Sequence, residues 1–170
     1  MKNRGLILAL ALGLILVGAP MVVSHPHINK SITAKLPAGA EVTISYNTTP
    51  ANESHAKTAA AGSFLTPRRP KLKVSAEIKA GSATIPAGDY TIGVIKNSDN
   101  DFTMALFPGD PPRGAAPDQS KLIKLDSRFD TTHGKADHML IDLQPGAGKM
   151  EGKLVLTLHF GTLFLEGAVS

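Results

Sequence analysis

The chain of 170 residues contains no cysteine and no tryptophan, and its aromatic residues are few. Without cysteine there is no disulfide, no thiolate nucleophile, no thiolate metal site and no lipid attached through sulfur. The fold must therefore stand on its apolar core alone. The cations are scattered, with Arg68, Arg69, Lys71 and Lys73 the one tight cluster. Lacking both a basic field and aromatic platforms for bases, the chain has no nucleic-acid signature, and that class of partner is excluded. No Gly-x-Ser-x-Gly elbow occurs, so an α/β-hydrolase is unsupported. No segment carries the pattern of a three-turn amphipathic helix. Asp99 and Asp101 lie in turn material, and the stretch NSDND at 97–101 lacks the closing glutamate of a calcium loop. An enzyme therefore has no positive signature here, and a hydrolase ranks last among the functional readings.

What is present begins with an export pattern. Lys2 and Arg4 precede an apolar run from Leu6 to Val17, which Gly18, Ala19 and Pro20 then break. Val22 and Ser24 suit the small-residue positions before a cleavage site, which predicts a signal peptide over 1–24 cut between Ser24 and His25. The competing reading is an uncleaved anchor, since the apolar character continues to Val23 and about 18 apolar residues can span a bilayer. With the signal removed, residues 25–170 have the length of one domain, no membrane span and a periplasmic or secreted location. Sixteen basic and fourteen acidic residues then remain, a balance of +2.

The rest of the chain reads as strands. In KLKVSAEIK, residues 71–79, Leu72, Val74, Ala76 and Ile78 alternate with Lys71, Lys73, Glu77 and Lys79, the period of a strand with one wet face. The same alternation marks Val42, Ile44 and Tyr46; Tyr90, Ile92 and Val94; Phe102, Met104 and Leu106; and Met139, Ile141 and Leu143. Leu154, Leu156, Leu158 and Phe160 form another row, and Leu163 and Leu165 follow Gly161. Turn residues at 86–88, 97–100 and 145–148 punctuate these runs. About nine short strands predict an all-β fold, a single antiparallel β-sandwich. Its core takes in Val42, Ile44, Leu72, Val74, Ile78, Tyr90, Ile92, Phe102, Met104, Ile141, Leu156 and Leu158. Thr48 to Pro70 and Pro108 to Gln119 do not read as strands, and their length marks a functional rim or a flexible excursion.

The stretch AEIKAGSATIPAGDYTIGVI, residues 76–95, with DFTMAL at 101–106, resembles a bacterial exported family catalogued as domain of unknown function 2911. AEVTISYNTTP at 40–50 and GKLVLTLHFGTLFLEG at 152–167 are similar to that family's opening and closing segments. The most specific part is the turn Ile85-Pro86-Ala87-Gly88-Asp89-Tyr90. The family's usual Trp-Arg-x-Gly-Ala-Asn motif is replaced here by GSFLTPRRPKL, residues 62–72, so no site residue is carried over. The resemblance implies an exported β-sandwich of unrecorded activity. Physically, proline presets φ and glycine accepts positive φ, so Pro86-Ala87-Gly88 is expected to reverse the chain between two paired strands.

Six histidines carry what chemistry there is: His25, His27, His55, His133, His138 and His159. A chain cut before His25 starts His-Pro-His, with an amine and an imidazole on one residue. Pro26 has no N–H, so its amide nitrogen cannot bind copper, and what remains is an amine-plus-imidazole brace joined by a second histidine. His133 and His138, flanking a loop that runs into a strand, are the candidates for that ligand. Residues 24–46 are similar to the start of periplasmic copper-resistance C carriers, small β-sandwiches with an N-terminal histidine. Their Asp-x-His element is absent, since Asp130-Thr131-Thr132-His133 has one residue more. His159 reads as a surface or satisfied sheet residue. The expected function is a non-enzymatic binding or structural module with no cofactor, and the alternative is a copper protein using His25 with His133 or His138.

Overall fold

The computed structural model describes residues 27–170, so the expected signal peptide, its cleavage point and His25 lie outside the described residues. The strands run in order β1 (Asn29–Lys35), β2 (Glu41–Asn47), β3 (Phe64–Leu65), β4 (Lys71–Val74), β5 (Ile78–Ala80), β6 (Ala83–Ile85) and β7 (Gly88–Ser98). They continue as β8 (Asp101–Pro108), β9 (Ile123–Lys124), β10 (Ser127–Asp130), β11 (Ala136–Pro145), β12 (Leu154–Gly161) and β13 (Leu163–Val169). One short helix, α1 (Ser54–Thr58), lies between β2 and β3. The fold is all-β, with thirteen described strands where about nine were expected, because several are only two to four residues long.

Two antiparallel sheets form the sandwich. The first has the order β1-β2-β4-β7-β8-β9, with β3 also on the edge of β7, and the second has the order β10-β13-β12-β11. Each of the twelve residues expected in the core is buried. Alternation explains this: Val42, Ile44, Tyr90, Ile92, Met104 and Leu106 point from the first sheet to meet Met139, Ile141, Leu156 and Leu165 of the second. Burying each such side chain contributes about 1.5–3 kcal/mol. The sheets also divide by chain order. Strands of the first come from residues 29–124, and those of the second from 127–169.

Two expectations are corrected. The alternating run at 71–79 is not one strand: it breaks at Ser75–Glu77, where Ala76 is exposed. Its first half pairs with β2 and β7, while its second half forms a separate hairpin with β6. The Pro86–Gly88 turn likewise does not join paired strands. It carries the chain from β6 in that small hairpin to β7 in the large sheet, a corner between two layers. The Tyr90 hydroxyl donates to the Pro86 carbonyl at 2.7 Å and locks the corner from inside. Burial raises the Tyr90 pKa, which keeps this donor protonated.

Candidate functional site

The segment Thr48 to Pro70, expected as loop, builds one end of the sandwich. α1 and β3 lie across the gap between the sheets there, and beneath them is a cavity of about 340 Å³. Val94 and Phe102 line it from the first sheet, Leu158 and Leu165 from the second. Phe64 and Phe160 add aromatic walls, and Asn52 and His55, both solvent-exposed, mark the mouth. No Asp, Glu, Lys or Arg among the described residues lines it. Such an apolar hollow with a few polar groups at its opening has the build of a small-molecule site.

Glycine is required where Phe64 sits. A Cβ on Gly93 would lie 2.5 Å from the Phe64 ring and 2.6 Å from the Leu65 carbonyl, so β3 can press on β7 only because residue 93 has no side chain. The chain leaves β3 through Thr66-Pro67-Arg68-Arg69, with Pro67 in the cavity wall. Arg68 and Arg69 have φ of 56° and 50°, a left-handed pair costing on the order of 1–3 kcal/mol each. The Thr66 hydroxyl donates to the Ile92 carbonyl at 2.8 Å and holds this strained loop to the sheet.

Two charged side chains fasten α1 over the cavity. Glu53, just before the helix, accepts the Thr162 amide at 2.6 Å and the Thr162 hydroxyl at 3.1 Å, and pairs with Lys57 at 2.9 Å. Burial pushes the Glu53 pKa up, but the Thr162 bonds and the Lys57 charge together outweigh it and hold the carboxyl below its ordinary value. This clamp is thus fully present above the usual carboxylate pKa and is lost as pH falls through the lowered one. Gly161 makes room for it: its φ is 64°, and a Cβ there would fall 2.0 Å from Glu53 Oε1. From the other side comes Lys96 on β7, whose side chain is 2% exposed. Its ammonium donates to the Lys57 carbonyl at 2.6 Å, one of the acceptors α1 leaves open at its C-terminal end, and pairs with Asp99 at 2.9 Å.

Apart from His55 at the cavity mouth, the described histidines fall into two places. His133 is exposed, stacked on Phe164 with ring centroids 3.9 Å apart, and its Nδ1 lies 3.5 Å from Asp130. His159 packs against the same Phe164 ring in a T-shaped pair with centroids 5.5 Å apart. His159 Nε2 is buried with no hydrogen-bond partner among the described residues, which corrects the expectation of a surface or satisfied residue. Bonds from the Thr132 amide and hydroxyl hold the Asp130 carboxyl below its usual range. His138 sits apart, half-buried on β11 where the pairing with β12 slips, and bridges to Pro50. The chain at Thr48–Pro50 also holds His27, whose Nδ1 donates to the Thr48 carbonyl at 2.8 Å. His27 thus meets Thr48 and the His138 backbone meets Pro50, while His133 lies against Phe164. No group of three or more His, Asp or Glu suited to a metal occurs among the described residues.

Comparison of this chain with family models, with curated proteins and with solved structures finds no match. No helix among the described residues is long and apolar enough to cross a membrane.

The cavity residues had little sequence signal. Phe64 and Leu65 are an apolar pair inside a polar, proline-rich stretch, and Phe160 and Leu163 flank Gly161. Both hints pointed to local turns, and only the tertiary fold brings them to one hollow.

Proposed function

We propose that the protein is an exported, non-enzymatic binding module, periplasmic or secreted, that takes a small apolar molecule between its two sheets. The observation that carries this is the apolar cavity under α1, framed by both sheets and free of charged walls. A void of this size left empty forfeits packing that a core of leucines would otherwise keep. Export rests on the cationic start and apolar run of residues 2–17. The test is a neutral fluorescent probe, N-phenyl-1-naphthylamine, titrated against the protein. Binding is expected to be saturable and to fall at least about tenfold (about 1.4 kcal/mol) in Leu163→Trp, whose indole would fill the hollow. Cooperative urea unfolding of that variant checks that the fold survives. Equal binding to both chains would place the probe elsewhere and remove the reading.

The copper alternative keeps one supporting observation. Because a carbonyl only accepts, His27 Nδ1 must carry the proton, leaving Nε2 with the lone pair that a metal uses. This histidine bonds to Thr48, and the backbone of His138 pairs with Pro50 two residues on. Intact mass of the protein from its own secretion route, with and without Cu(II), is expected to show a chain starting at His25 and one bound copper. One residue added before His25 should lower the affinity at least about a hundredfold, since the amine becomes an amide. Equal affinity with and without that residue would leave ordinary surface histidines and exclude the brace.

A further inference from the structure

The charges around the cavity narrow what it can hold, given the binding reading above. We infer that its ligand is an uncharged, mainly apolar molecule with one hydrogen-bonding end, seated tail inward with that end at Asn52 and His55. The two charged side chains that fasten the lid already have their counterparts: Glu53 is taken by Thr162 and Lys57, and Lys96 by the Lys57 carbonyl and Asp99. Arg68, next to Pro67, is exposed to solvent and does not line the hollow. A carboxylate or ammonium carried into the hollow would find no opposite charge, and burying an unpaired ion is heavily penalised. Hydrogen-bond donors are concentrated at the mouth. Asn52 Oδ1 accepts the Ser54 amide at 3.0 Å, which directs its NH₂ donors elsewhere, and the exposed His55 ring offers both a donor and an acceptor. The Thr66 hydroxyl donates to the Ile92 carbonyl and keeps only acceptor capacity, and the side chains of the remaining walls are hydrocarbon.

Size agrees with this chemistry. At about 30 Å³ for each water-sized group, a hollow of about 340 Å³ has room for roughly eleven of them. That fits a medium-chain alcohol or a small ring system, and it is too small for a phospholipid.

The test displaces N-phenyl-1-naphthylamine with 1-decanol and, separately, with decane and with decanoate at about pH 8, where the acid is fully ionised. Decanol should displace the probe at least about tenfold more effectively than decanoate. In His55→Leu, the advantage of decanol over decane in displacing the probe should fall about fivefold, because only the head-group contact is removed. Equal displacement by decanol and decanoate, from a probe site that Leu163→Trp still abolishes, would overturn the neutral-ligand inference and leave the cavity reading standing. An unchanged advantage of decanol over decane in His55→Leu would overturn the seating. No saturable probe binding to the unaltered protein would overturn both the inference and the reading under it.

Discussion

An Ile92→Asp chain is expected not to fold at room temperature. Ile92 is fully buried at the centre of β7, paired in register with Leu106 and surrounded by the inner faces of both sheets. The substitution removes an aliphatic side chain and introduces a carboxylate with no cation beside it in the core. Aspartate would escape the charge by protonating, yet a neutral carboxyl there is still an unsatisfied polar group. The cost should be at least about 4–5 kcal/mol, comparable with the total stability of a small domain. Far-ultraviolet circular dichroism against urea checks it: the β spectrum should be lost or the midpoint should collapse. A variant within about 1 kcal/mol of the unaltered protein would contradict the packing described for β7.

The second large effect concerns Lys96, and here two substitutions separate two causes. Lys96→Ala removes the three outer methylenes of a buried stem along with the ammonium that caps the Lys57 carbonyl. It should cost about 3–5 kcal/mol. Lys96→Met keeps most of the stem and loses only the ammonium, leaving the carbonyl short of a donor and Asp99 without its ion pair. Since Asp99 is 90% exposed, that ion pair adds little, and the carbonyl decides the outcome at about 1–3 kcal/mol. The loss should also be local. Amides of 57–59 should exchange with solvent faster in Lys96→Met, while those at the centre of β7 and β12 keep their protection. Equal stability of Lys96→Met and the unaltered chain would mean that the ammonium does not fasten α1.

The inner rows of the sheets were legible because a period of two depends only on neighbours along the chain. That is why Val42 and Ile44, or Leu156 and Leu158, could be assigned to a core from their spacing. The same pattern misled at residues 75–77, where alternation runs on while the chain passes from one sheet to another. Ala76 keeps the parity of Val74 and Ile78 yet is exposed, since parity carries no record of which layer a residue joins. Lys96 was illegible for a related reason. A lysine following Val94 and Ile95 reads as the wet end of a strand, and its burial is tolerated only because α1, thirty-odd residues earlier, presents an open carbonyl to it. The histidines were visible as residues, but the role of His133 depended on a ring thirty-one residues further on, while His159 meets that ring as its cross-strand partner. Phe164 stacks on His133, and nothing local to His133 announces it.

The division of the two sheets by chain order has a consequence for how the molecule comes into being. A chain emerging from its N-terminus can pair the whole first sheet once residue 124 has appeared, but that sheet then has one bare hydrophobic side. Most of its cover is the second sheet, made entirely of residues 127–169, so the second sheet cannot be in place earlier. The growing chain therefore passes through lengths at which a wide, sticky surface of Ile44, Ile92, Met104 and their neighbours has little of its own to rest on. For as long as synthesis of the last quarter takes, its solubility rests on whatever else shields that surface.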